Sequence, residues 1–283
     1  MLFKARLKKL RKRLRSFVDR KFYGFSSSDL QNCLIRSGIK SGDCLLVHSS
    51  LNRFGGFNGQ PIDILQLLES LVGASGCVAM PTIPFSGSSE DYVSTKPIFD
   101  VLRTPSRVGL LTELFRRQRH VKRSLHPTHP IAACGALTEE LIEGHSRSLH
   151  PCGEHSPWKK LERYNAKIVF LGAPFASMTY VHTFDDMPGL PSLLPIFNPQ
   201  KYIVECRDNQ GKRIEIETMI TSKALGKVRN LSILHDALQT AGDLCKKRLG
   251  KVEIIVVSTS AVGRVVRELA SNGISHYHPE ASL

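Results

Sequence analysis

The sequence predicts an α/β fold, a mixed sheet flanked by helices, and three observations carry that prediction. Apolar runs of strand length recur along the chain: "DCLLVHSS", "GCVAMPTIPF", "NAKIVFLGA" and "KVEIIVVST". Segments with apolar residues three and four apart follow them, so strands and helices alternate. One hairpin pattern, "KYIVECRDNQGKRIEIETM", breaks that alternation and makes the sheet mixed rather than wholly parallel.

Taken in order, "SSDLQNCLIRSG" starts with capping residues and ends in glycine, the marks of a short helix. "DCLLVHSS" is a buried strand that opens into the glycine-rich "LNRFGGFNGQ". "PIDILQLLESLVG" has Pro61 in its first turn and Gly73 just past its end, as a helix prefers. "GCVAMPTIPF" is a strand stopped at Pro81, "RVGLLTELFRRQ" a helix, "HPIAACG" a strand and "LTEELIEGH" a helix. "NAKIVFLGA" is a strand feeding a helical "SMTYVHTFDDM". The hairpin turns at Asn209 to Gly211, and "SILHDALQTAGDLCKKRLG" reads as one helix. The strand "KVEIIVVST" and the helix "SAVGRVVRELASNG" close the chain.

With 283 residues, 41% of them hydrophobic, the chain can bury a large core without covalent staples. Its net charge of +14 is uneven. Residues 1–24 hold ten Lys or Arg against the single acid Asp19, with Phe3, Leu7, Leu10, Leu14 and Phe17 at helical spacing. That pattern predicts a basic amphipathic helix, set apart from a main domain over residues 25–283 and suited to an anionic membrane surface. A partner contact through the apolar stripe is the competing reading. Nucleic acid is not expected as a partner, because aromatics do not interleave the cations and the main domain shows no nucleic-acid motif. The seven cysteines form no C-x-x-C and several sit in apolar runs, which predicts buried thiols in a reducing compartment. No apolar stretch approaches membrane-span length, and the N-terminus lacks a secretory pattern. The expected location is cytoplasmic, peripheral at the inner face of the membrane if the tail binds there.

Several clusters could carry chemistry. His48, Ser49, Ser50 and Leu51 lie where a buried strand opens into a glycine-containing loop, the end at which α/β sheets hold ligands. "VKRSLHPTHPIAA" places Lys122, Arg123, Ser124 and His126 before a strand, and cations with a hydroxyl suit a phosphorylated cofactor. His126 and His129 have an H-x-x-H spacing, but the prolines after both make a rigid loop and no third ligand matches, so no metal is expected. "LHPCGEHSPWKKL" reads as a turn at Gly153 and a helix opened by Ser156 and Pro157. Finally, His182 precedes Asp185 and Asp186 by three and four residues. On a helix the imidazole shares a face with both carboxylates, an arrangement able to take a proton near neutral pH. A structural histidine beside an aspartate is the plainer account of those residues alone.

In this order, "LLVHSSL", "AMPTIPF", "RVGLLTELFRR", "VKRSLHPTHPIAACG", "GEHSPWKKL", "IVFLGA" and "TYVHTFDD" resemble the aminoglycoside 3-N-acetyltransferase, or antibiotic N-acetyltransferase, family over residues 28–270. The resemblance implies that family's own α/β fold, acetyl-CoA as donor and an amino group, usually on a sugar, as acceptor. Thr179 and His182 match its T-x-x-H-x-x-E motif, with Asp185 where the family has Glu. That shorter carboxylate leaves Asp185 and Asp186 as alternative partners for His182. The resemblance further implies donors to the developing oxyanion near His48 to Leu51 and at Thr82. Arg116, Arg123 and Lys122 are the cations expected to meet the cofactor's phosphates.

The chemistry expected is direct transfer with His182 as general base and no acetyl-enzyme, since an ammonium must lose a proton before it can attack a thioester. Aminoglycosides are polycations, yet this chain is basic, and "SGSSEDY" with Glu90 and Asp91 is its clear acidic loop. An amino sugar or glycan precursor is therefore the acceptor expected first, with Glu90, Asp91 and Asp186 as contacts. An aminoglycoside, with antibiotic resistance as the role, is the alternative. A non-catalytic member of the family that binds a membrane or a complex is a third reading.

Overall fold

The computed structural model describes residues 21–278. The amphipathic helix expected over residues 1–24 falls, for residues 1–20, outside the described residues.

Local signals set most elements. Ser26 opens α1 (Ser27–Arg36) with a reciprocal cap: the Asp29 amide donates to its hydroxyl at 3.2 Å, and its own amide donates to the Asp29 carboxylate at 2.8 Å. The apolar run that follows forms β1 (Cys44–Ser49), and Pro61 starts α2 (Pro61–Val72). Next come β2 (Cys77–Pro81), α3 (Ser89–Ser94), β3 (Phe99–Asp100), α4 (Leu110–Arg116), β4 (Lys122–Arg123) and β5 (Ile131–Gly135). After α5 (Thr138–Ile142), α6 (Pro157–Lys160) opens on the Ser156 hydroxyl, which accepts from the Lys159 amide at 3.2 Å. The rest is β6 (Lys167–Leu171), β7 (Tyr202–Arg207), β8 (Arg213–Thr218), α7 (Leu225–Val228), α8 (Ser232–Thr240), β9 (Cys245–Leu249), β10 (Val252–Ser258) and α9 (Thr259–Ser271).

A seven-stranded sheet runs β4-β5-β2-β1-β6-β10-β9. β1 lies between β2 and β6 and is parallel to both, so the carboxyl ends of these three strands meet along one edge. Alternation along the strands divides the core. Leu45, Val47, Met80 and Val169 pack with α1, α2 and α4 through Leu34, Leu68 and Phe115. Leu46, Ala79, Ile168 and Phe170 pack with α6, α8 and α9 through Trp158, Leu238 and Val262. All seven cysteines are unpaired and five are buried, as the apolar settings predicted.

Three elements depart from expectation. The hairpin forms with its turn at Gly211 (φ +81°), but outside the main sheet. Val204, Cys206 and Ile216 bury against Phe99 and Val93, and β7 pairs in parallel with β3 to make a separate three-stranded sheet. The main sheet is mixed because β4, β5, β9 and β10 are antiparallel to their neighbours. The helix read through "SILHDALQTAGDLCKKRLG" ends at Thr240: Gly242 takes φ +74°, and the chain reverses into β9. That strand carries exposed Lys246, Lys247 and Arg248 at the sheet's rim, a charge pattern that blunts an edge against further pairing. Its cations had passed for the solvent face of a helix. Third, "SMTYVHTFDDM" is not an α-helix but a 3-10 turn over Thr179–Phe184.

Candidate active site

The 3-10 winding of Thr179–Phe184 builds the site. With three residues per turn, positions i and i+3 eclipse, so Thr179, His182 and Asp185 stack along one side and Asp186 points elsewhere. His182 Nδ1 stands 2.8 Å from Asp185 Oδ2. The shorter aspartate thus reaches the ring across a single 3-10 turn. Asp186 lies nearer His150 and Lys159, at 3.8 and 3.9 Å. Asp185, not Asp186, orients the imidazole.

Two further residues complete the arrangement, and neither was among the sequence candidates. The Tyr277 hydroxyl donates to Asp185 Oδ1 at 2.9 Å and lies 3.1 Å from His182 Nδ1. Arg229 Nη1 donates to His182 Nε2 at 2.9 Å, and its Nη2 reaches the Ala176 carbonyl at 3.4 Å. Both partners of the ring agree on one tautomer: Nδ1 carries the proton toward Asp185, and the Nε2 lone pair faces outward. Burial would raise the Asp185 carboxyl, but His182 beside it and then His276 hold it well below the usual carboxylate range. Burial first, and Asp185 next, push the Tyr277 phenol up, so it remains a donor.

His182 lines a cavity of about 330 Å³ together with Phe85, His129, Lys223, Arg229 and Tyr277. A second cavity, of about 270 Å³, opens at the shared edge of β1, β2 and β6, lined by His48, Ser49, Ser50, Pro81, Ala173 and Thr179. Thr179 and His182, one turn apart, therefore place the same short segment in the wall of both. Gly172 (φ +66°) turns the chain out of β6 here, where a Cβ would sit 3.4 Å from the Ser50 carbonyl and 3.3 Å from the Arg53 side chain.

The second cavity holds unsatisfied polar atoms. His48 Nε2 and Ser49 Oγ are buried without a hydrogen-bond partner, and the His48 ring stacks on Phe170 with centroids 5.1 Å apart. Buried polar atoms are rarely left unpaired in a folded protein. A thin, amide-bearing ligand entering from the strand ends would satisfy both.

Other sequence candidates lie away from these cavities. Arg123 is buried, and its guanidinium donates to Thr82 Oγ1 at 2.9 Å, to the Thr82 and Thr104 carbonyls and to the Val101 carbonyl at 3.3 Å, over the face of Phe99. Burial, then Arg116, push it down to about 9. Arg116 is held by Glu113 at 2.6 Å and by the Leu102 carbonyl, and Lys122 by Glu139. Thr82 spends its amide and hydroxyl on the Pro130 carbonyl, leaving no donor for an oxyanion. Ser124 and His126 are fully buried: the Ser124 hydroxyl meets His145 Nδ1 at 2.8 Å, and the His126 ring stacks on that of His145 at 4.5 Å. Arg116, Arg123, Thr82, Ser124 and His126 are thus engaged within the protein and Lys122 pairs with Glu139 at the surface; none of the six lines either cavity. Arg123→Ala should cost about 3 kcal/mol of stability in urea melts by stranding buried carbonyls, with no change in donor KM for the protein that remains folded. A raised donor KM at unchanged stability would restore the phosphate-binding role.

Glu90 and Asp91 follow Ser88 and Ser89 of the first cavity's wall without lining it, and both are engaged within the protein. Glu90 accepts from the Lys223 amide at 3.3 Å and from Asn198 at 3.4 Å, and Asp91 pairs with the Lys223 ammonium at 2.8 Å.

Known proteins share this framework. The sequence profile described as aminoglycoside 3-N-acetyltransferase matches residues 46–271. The chain belongs to that family. Among aminoglycoside 3-N-acetyltransferases it is similar to aminoglycoside N(3)-acetyltransferase III of a Salmonella species, 30% identical over 175 residues, covering 58% of this chain and 61% of the relative. It also resembles the prophage-derived aminoglycoside N(3')-acetyltransferase-like protein YokD of Bacillus subtilis, 32% identical over 161 residues, 51% of this chain and 59% of the relative. These matches span about three fifths of the length of the curated relatives. The fold superposes on aminoglycoside acetyltransferase AAC(3)-Xa with a TM-score of 0.77 at 19% identity, covering 95% of this chain and all of that one. AAC-IIIb, solved as a binary complex with CoASH, gives 0.74 at 22% identity over 88% of this chain and 97% of its own. The fold expected from the resemblance is the one observed. Among the described residues no helix is long and apolar enough to cross a membrane.

Proposed function

We propose that this protein is an acetyl-CoA-dependent N-acetyltransferase that acylates an amine carried on a sugar or aminocyclitol. The observation that carries the reading is the Tyr277–Asp185–His182 relay on a segment that walls two adjacent cavities. Acetyl-CoA, when bound, supplies an acyl carbon already activated as a thioester. The cavity with His48 and Ser49 suits that donor's narrow arm, because its orphaned polar atoms need partners and its described wall carries no charge.

The chain's own residues then act on the acceptor. His182 Nε2 takes the proton that the amine loses as its nitrogen attacks the acyl carbon, and can return it to the thiolate released when the C–S bond breaks. Asp185, held by Tyr277, keeps the proton on Nδ1 beforehand and stabilises the imidazolium afterwards. Ser49 Oγ and His48 Nε2, lying at the strand ends, can donate to oxygen charge that develops on the carbonyl. Holding amine and thioester on either side of one 3-10 turn supplies the proximity.

The names of the relatives weigh toward aminoglycosides as acceptors and antibiotic inactivation as the role, whereas the cations lining the His182 cavity weigh toward a less basic amine such as the glycan precursor expected first from sequence. The non-catalytic reading rested on the shorter Asp185, and the 2.8 Å contact to His182 removes its main support. Incubation with acetyl-CoA and a panel of aminoglycosides and amino sugars, read by mass spectrometry, tests the proposal; absence of any acetylated product with intact protein would end it. A separate reading attaches to residues 1–24, whose cations and apolar stripe suit an anionic bilayer. Their deletion should abolish co-sedimentation with phosphatidylserine-containing vesicles, and equal sedimentation of both forms would remove the membrane from the account.

A further inference from the structure

The acceptor side of the site is positively charged where a polycation would have to bind. The described lining of the His182 cavity holds two cations, Lys223 and Arg229, and no carboxylate. The carboxylates nearest in sequence, Glu90 and Asp91, are already engaged by Lys223 and Asn198. The adjoining cavity is lined by Lys223, a third cation, Lys227, and the engaged carboxylate Glu90. Arg229 is the more unusual of these groups. Its guanidinium is a planar fork of donors, its described contacts include no carboxylate, and it donates to the one ring nitrogen that must accept the substrate's proton. While it remains there, the lone pair of His182 is occupied.

From this geometry we infer that Arg229, with Lys223 beside it, is a subsite for an anionic oxygen group on the acceptor, a phosphate, sulfate or carboxylate borne near the nucleophilic amine. The inference rests on the acetyltransferase reading above and specifies its substrate class. An anionic group draws the guanidinium into a bidentate pair, which removes it from Nε2 and admits the amine to the base. A polycation offers nothing to draw Arg229 away from the base. The residue thereby acts as a specificity determinant, selecting for an acceptor with a negative substituent and against the aminoglycosides that the family name describes.

Glucosamine and glucosamine 6-phosphate differ by one phosphate and provide the test, with gentamicin as the polycation. For the wild-type protein, kcat/KM should be at least tenfold higher for the phosphorylated sugar than for glucosamine, and higher than for gentamicin. Arg229→Ala should abolish that ratio, the loss falling on KM for the phosphorylated acceptor and not on KM for glucosamine. Lys223→Ala, at an exposed position, should reduce the ratio in part and guards against a folding defect in the first variant. Equal rates for the two sugars, a preference for gentamicin, or a ratio unchanged in Arg229→Ala would each overturn the subsite while leaving the transferase reading intact. Acetylation of no acceptor at all would overturn both.

Discussion

Replacing His182 by alanine is expected to cut kcat for acetyl transfer by about a thousandfold, within the usual range for loss of a positioned general base. KM for acetyl-CoA should stay within about a factor of two, since only interactions made as the proton moves are removed. The geometry dictates that split. His182 opens onto the cavity with Arg229 and Tyr277, whereas His48, Ser49 and Thr179 line the one assigned to the donor. Loss of the ring also leaves Asp185 with Tyr277 and the more distant Thr221 and His276. Some loss of stability should therefore accompany the loss of rate, and thermal melts separate the two. A variant that folds, binds donor and turns over at near wild-type rate would place the base elsewhere, with His129 next in line on the cavity wall. Burial, then neighbouring His182, hold the His129 imidazole below its ordinary range.

The parts of this site that were legible in sequence are those whose signals are local. His182 and Asp185 are three residues apart, and any helical winding brings them together. The strand-end cluster at His48 and Ser49 follows from a buried run opening into a loop. Which winding occurs was not legible, because the apolar periodicity of "SMTYVHTFDD" suits an α-helix and a 3-10 turn alike; the tighter form is what separates Asp185 from Asp186. Arg229 and Tyr277 lie 47 and 95 residues from His182 and have no motif of their own. Their convergence depends on how α7 and the segment after α9 pack, which no spacing encodes. Arg123 misled for a related reason. Cations before a strand look the same in sequence whether they face a phosphate or the carbonyls of a loop, and here Val101 and Thr104 supply the carbonyls. The hairpin was read correctly as a hairpin, but its sheet partner, the two-residue strand at Phe99, is too short to leave a pattern.

Acid should begin to destabilise this protein well above the pH at which its carboxylates titrate. His48, His126 and His145 are almost wholly buried. Burial holds the first and last down to about 3 and His126 well below its ordinary range. The hydrogen bonds agree. His145 Nε2 faces the Pro151 carbonyl at 2.8 Å and must carry the proton, so Nδ1 accepts from Ser124. His126 Nδ1 accepts from the amides of Thr128 and His129 at 3.3 and 3.4 Å, leaving no free lone pair on that nitrogen. For a group whose folded pKa lies below its unfolded one, the unfolded chain binds the extra proton. Stability is then fully present above about pH 6.5 and falls as pH drops toward the folded value. Each such imidazole contributes about 1.4 kcal/mol per pH unit through that window, so three together give about 4 kcal/mol per unit. Asp185, whose pKa is depressed, adds its own loss only below the ordinary carboxylate range, after the histidines have acted. Urea melts at pH 7.5, 6.0 and 5.0 measure the slope. His48→Phe should lower it by about 1.4 kcal/mol per unit, because the ring stacks on Phe170 and makes no described hydrogen bond. A wild-type slope under about 1.4 kcal/mol per unit would mean that these rings are already charged or hydrated in the folded protein, and the buried network around Ser124 and His145 would have to be redrawn.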